Sequence, residues 1–189
     1  MTLNRHILLA AILCLPISGI VADDKKPSDA DARPPRELLV TRDRIELNLA
    51  GAEVILSAAK MKAAAMALKV NIAVVDDGGH LLAFARMDGA RPASGYTAIT
   101  KATTAATFRQ ETGPLPPKGE PDLLLNLSLQ NAALASGGKV TTLKGGVPVV
   151  IDNQIVGGVG VGGGTGEQDA EIAKAGIQAL VEALREEKQ

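Results

Sequence analysis

The sequence predicts an α/β (α+β) domain in which helices flank an antiparallel sheet. Three observations carry this. Two stretches, 70–87 and 149–161, each read as a strand, a tight turn and a second strand. Segments with helically spaced apolar residues stand before, between and after these hairpins. The resulting order is helix, hairpin, helix, helix, hairpin, helix, which lacks the strand–helix alternation of a parallel doubly wound sheet.

Residues 1–22 are set aside before the fold is read. Arg5 and His6 give a short basic start, Ile7 to Leu15 is uninterrupted apolar sequence, and Pro16 and Gly19 break it. Ala22 then offers a cleavage point ahead of Asp23-Asp24-Lys25-Lys26. The pattern is that of a secretory signal peptide, too short and too weakly flanked for a stable span. Cys14 lies in its apolar core, and Leu13 is too bulky for a lipid-attachment site. The expectation is a periplasmic or secreted protein with no membrane insertion after cleavage. Residues 23–37, rich in Asp, Lys, Pro and Ser, read as a flexible tether. Residues 38–189 form the domain, and a mature chain of roughly 167 residues suits a single one.

Each element has its own justification. Ile45, Leu49, Ala52, Leu56, Ala59, Ala63 and Met66 recur at three- and four-residue steps, which predicts a helix of roughly 25 residues with one apolar stripe. Val70 to Val75 is β-branched and ends at Asp76-Asp77-Gly78-Gly79, with a second strand over Leu81 to Met87. Ser94 reads as the N-cap of a helix over 95–110 that carries Ile99, Thr103 and Ala106 on one side and Lys101 and Arg109 elsewhere. A proline-rich loop follows over 113–121, then a short apolar helix over 123–134. Val149 to Ile151 and Ile155 to Val161 form the second hairpin, with Asn153-Gln154 at its turn. Thr165 and Gln168 make a capping box for the last helix, with Glu167 and Asp169 in its first turn.

Glycines at 157, 158, 160, 162, 163 and 164 leave the end of the second hairpin bare. Bare backbone lets a helix, a ligand or another subunit approach closely. Gly158, Gly160 and Gly163 fit a G-x-G-x-x-G spacing, but no second parallel strand with a terminal acid follows, which argues against a dinucleotide site. No Gly-Lys-Ser/Thr follows either, and two acids in the next helical turn would repel a phosphate.

Composition removes other classes. The mature chain keeps no cysteine, so thiol chemistry and disulfides are out. The formal charge is −1, near balance, and gives no reason to expect nucleic acid as a partner. Two Phe, one Tyr and no Trp leave no stacking platform for bases. No Ser-His-Asp set is evident, and no catalytic residue is assigned.

The motifs Asp76-x-Gly78-Gly79-His80, Arg86-Met87-Asp88-Gly89-Ala90, Lys101-Ala102-x-x-Ala105, Gly145-Gly146-x-Pro148 and Gly160-Val161-x-Gly163-Gly164 with Asp169 occur together. As a set they closely resemble the GlcG/HbpS family of haem-binding and haem-binding-like proteins, to which the C-terminal domain of PduO corrinoid adenosyltransferases also belongs. The resemblance covers about Leu49 to Leu184. It implies a profilin-like fold, a homo-oligomer and, in several members, haem as cofactor. Some haem-binding members supply a histidine from the first helix, where this chain has only Met61 and Met66.

Haem iron takes His, Met, Cys or Tyr as axial ligand. With His6 in the leader, His80 is the remaining histidine and the axial candidate; its alternative is a solvent-facing turn residue. Arg86 and Lys101 are candidates for propionates or a small carboxylate, or else for ion pairs with Asp88 or Asp169. Gly160, Gly163 and Gly164 complete the ligand-binding candidates. Three functions are open: an exported haem or tetrapyrrole binder with carrier, sensor or scavenging duty; an enzyme or binding protein for a small hydroxy- or keto-acid, which the resemblance implies through members associated with glycolate oxidation; or a non-catalytic oligomeric scaffold.

Overall fold

Helix α1, Leu49–Ala65, begins where the Asn48 side chain accepts the Gly51 N–H at 2.9 Å. The computed structural model describes residues 44–187, so the leader, the tether and the first residues assigned to the domain lie outside the described residues. At 17 residues α1 is shorter than the predicted 25, because the cap at Asn48 and the left-handed Ala67 confine it. Its buried stripe is Ala52, Ile55, Ala59 and Ala63, while Leu49 is exposed. Ile45 and Met66 still pack on the core from outside the helix.

Strands β1, Asn71–Asp76, and β2, Leu81–Arg86, form the first hairpin. Helix α2 spans Ser94–Phe108 and α3 spans Leu123–Ala135. Strands β3, Gly146–Ile151, and β4, Gln154–Gly162, form the second hairpin, and α4, Gly166–Glu186, closes the fold. The antiparallel sheet runs β2-β1-β4-β3, with Asn71 paired to both Arg86 and Gly162. The predicted α+β class and element order are found.

The sheet is covered on both faces. α1 and α4 cover one, over Ile72, Val74, Val149, Val159 and Val161. α2 covers the other through Ala98, Ala102 and Ala106, against Ala73 and Val75. The β4 glycines explain how close α2 comes. A Cβ at Gly158, Gly160 or Gly162 would run into the carbonyl oxygens of Ala102, Ala98 and Ser94 respectively. Of the readings open for the glycine run, close packing on a helix is the one seen at these three positions.

Three local expectations are corrected. The second hairpin turns at Asp152-Asn153, both with positive φ, one residue earlier than Asn153-Gln154. Ser94 is not a cap: Ala93 holds that position with no side-chain bond, and the Ser94 hydroxyl accepts from Arg91 Nε at 2.9 Å. Lys101 lies on the buried side of α2 with the alanines, not away from it. The capping box at Thr165 and Gln168 is present as predicted.

Candidate functional site

His80 closes the β1–β2 turn, where Gly79 adopts φ +84 and its carbonyl accepts from Thr103 Oγ1 of α2. Asp76, four residues earlier, holds His80 twice. Its Oδ1 accepts the His80 backbone N–H at 2.8 Å, and its Oδ2 lies 3.2 Å from Nδ1. An ionised carboxylate can only accept, so Nδ1 carries the proton, and Nε2 of the neutral ring has no partner among the described residues. Partial burial raises the Asp76 pKa, but the hydrogen bonds it accepts from the His80 backbone and ring and from the Gly78 backbone outweigh it and hold the carboxyl below its ordinary value. Carboxylate, imidazole and free Nε2 form the arrangement that orients metal-bound histidines. The side chain is 82% exposed. The neighbouring Asp77 pairs with Arg44.

Arg86 stands at the other end of β2, roughly 20 Å along the strand from His80 at ordinary strand rise. It lines a cleft of about 620 Å³ with Lys69, Met87 and Asp88. His80 and Arg86 thus stand at opposite ends of β2, and His80 does not line the Arg86 cleft.

Lys101 is elsewhere again. Its ammonium is buried under α4 and donates to Asp169 Oδ2 and to the Val161 carbonyl, both at 2.8 Å. The two side chains are 6% and 2% exposed. Asp169 Oδ1 accepts the Gly164 N–H at 2.9 Å, so one carboxylate ties α2, α4 and the end of β4 together. Gly145 makes room for this, since a Cβ there would collide with Asp169 Cβ and approach Lys101 Nζ to 2.9 Å. The ion-pair alternative for Lys101 is thus the one observed, with Asp169 as partner.

The Lys101–Asp169 pair lies at a cavity of about 640 Å³ whose wall also includes Arg91, Ser94, Thr97, Lys144, Gly163 and Gly164. At its rim Lys144 donates to Glu167, which holds that carboxyl below its usual range. Gly163 and Gly164 therefore border open space, whereas the exposed side of Gly160's Cα is filled by α2. His80 lines neither this cavity nor the Arg86 cleft.

Two contributors were given no role from the sequence. Asp76 carried a readable signal, an acid four residues before the histidine across a Gly-Gly turn. Arg91 carried none, because its place beside Ser94 depends on how the loop enters α2. Among the described residues, no group of three or more His, Cys, Asp or Glu could hold a metal ion. No helix among them is long and apolar enough to cross a membrane.

GlcG of Escherichia coli K12 is 42% identical over 120 residues, covering 64% of this chain and 84% of GlcG. A solved double mutant of Streptomyces reticuli HbpS superposes with a TM-score of 0.61 at 30% identity, covering 87% of this chain and 99% of that one. A structure described as a PduOC:haem complex superposes with a TM-score of 0.60 at 27% identity, covering 71% and 95%. The family model described as haem degrading protein HbpS-like matches residues 47–178, more than half of the sequence, and the chain therefore belongs to the HbpS-like family.

Proposed function

We propose that this protein binds haem or a closely related tetrapyrrole, with His80 Nε2 as the axial ligand. The observation that carries the reading is the Asp76–His80 pair: the remaining histidine is held through Nδ1, with Nε2 open, in a fold shared with a solved haem complex. The bound group would supply iron and its redox and ligand-binding chemistry. The chain's own part is to fix the ring orientation through Asp76 and to offer apolar cover for the porphyrin.

One subunit gives little of that cover, because the His80 ring stands out in solvent. A homo-oligomer supplies the rest in this reading. Helix α3 supports assembly. It carries no charged residue, and Leu123, Leu124, Leu125, Leu127 and Leu134 are all exposed while Leu129 alone is buried. An apolar helix face of this kind is characteristic of a protein–protein contact. Export to the periplasm or medium completes the proposal, on the strength of residues 1–22. Intact-mass analysis of protein from its native host is expected to place the mature N-terminus near Asp23; a product retaining the leader contradicts export.

Haemin titration of the mature protein tests the binding itself. A Soret band that saturates near one haem per subunit or per dimer is expected. A band that only tracks free haemin overturns the proposal.

A further inference from the structure

The cavity beside Lys101 has more hydrogen-bond donors than its own walls can use. Lysine carries three N–H donors. Lys101 spends two, on Val161 O and Asp169 Oδ2, and the third has no acceptor among the described residues. Ser94 is buried, and its oxygen accepts from Arg91 Nε while its own proton has no acceptor among the described residues. The Arg91 guanidinium uses only Nε, which leaves both terminal amino groups unspent among the described residues. The nearby carboxylates each already hold donors: Asp169 Oδ1 takes Gly164, Asp169 Oδ2 takes Lys101, and Glu167 Oε1 takes Lys144.

A buried ammonium and a buried hydroxyl, each with a proton to donate, stand beside an exposed guanidinium whose terminal amino groups can take an acceptor ligand. The first turns of α2 and α4 both open on this cavity, and α2 has no side-chain cap, so the backbone adds positive potential. Charge fixes the class. Three cations, Arg91, Lys101 and Lys144, stand against two anions, Glu167 and Asp169, leaving one net positive charge. That balance suits a monoanion and disfavours a multiply charged phosphate beside Asp169.

We infer that this cavity is a binding site for a small monocarboxylate, separate from the His80 turn. The Arg91 fork takes the two carboxylate oxygens, and Ser94 and Lys101 donate to the same group from below. The inference does not rest on haem binding.

Calorimetric titration with lactate as the monocarboxylate and with inorganic phosphate as the polyanion tests it. Saturable binding of lactate at one per subunit is expected, tighter than phosphate. Arg91→Gln alters an exposed side chain and is expected to weaken lactate at least tenfold; Ser94→Ala removes both a donor to the ligand and the acceptor that holds Arg91 Nε, and is expected to weaken it as well. His80→Ala is expected to leave it unchanged, which separates this site from the haem proposal. No saturable lactate binding, tighter phosphate binding, binding that survives both Arg91→Gln and Ser94→Ala, or loss of lactate binding in His80→Ala each overturns the inference.

Discussion

Lys101 shows how one residue can be read correctly as to type and wrongly as to place. Lysine invited an anion partner, and Asp169 is one, yet the sequence set Lys101 apart from the apolar side of α2. Alanine and threonine surround it in the helix, so no strong stripe marks which side is buried. Burial makes the pair an all-or-none feature. Removing one partner strands a buried charge, at a cost of about 3–5 kcal/mol. Lys101→Met is therefore expected to lower unfolding free energy by that amount in urea, and Lys101→Met with Asp169→Leu to lose less. A loss below about 1 kcal/mol, the scale of a surface pair, would show that the pair is solvated after all. His80 differs: its neighbour Asp76 is local in sequence, so the contact that defines its ring was within reach of sequence reasoning.

At the scale of elements, what was legible was what is decided locally. The capping box at Thr165 and Gln168 needs only four residues, and the β1 run of valines needs only its own composition. The turn at Asp152-Asn153 was displaced by one residue, because asparagine suits either central position of a turn that needs positive φ at both. The Ser94 cap failed because its hydroxyl is engaged by Arg91, a contact that depends on the path of the preceding loop. The glycine run was legible as close approach but not as to what approaches; that required the sheet order and the placement of α2 across it. Gly160 now makes a sharp prediction. An added methyl would meet the backbone of Ala98 and Ala102, which cannot move without shifting the whole helix. Gly160→Ala is expected to destabilise by about 1–3 kcal/mol or more in denaturant unfolding. A neutral effect would mean that α2 sits higher on the sheet.

For the whole molecule, the candidate residues gathered from sequence fall into three separate places. His80 sits at the β1–β2 turn, Arg86 in a cleft at the far end of β2, and Lys101 under α4 with Gly163 and Gly164 nearby. Sequence motifs alone could not separate them, since distance in a fold is set by strand order and not by spacing. Assembly is the level at which an exposed His80 becomes a plausible porphyrin ligand, and α3 gives the means to test it. Leu124 and Leu134 are 75% and 80% exposed, so replacing both with Glu leaves the subunit's core untouched. Light scattering is expected to return a multiple of the subunit mass for the wild type and a smaller assembly for the Leu124→Glu, Leu134→Glu variant. A wild-type monomer at every concentration contradicts assembly.

The central claim is that His80 Nε2 ligates haem iron with its ring fixed by Asp76. The most direct measurement compares haemin binding by the wild type and by His80→Ala through visible absorption and affinity. The account predicts a shifted Soret maximum and at least tenfold weaker binding in the variant, on the order of 1.4 kcal/mol. An unchanged spectrum and affinity would contradict it and remove His80 from the site.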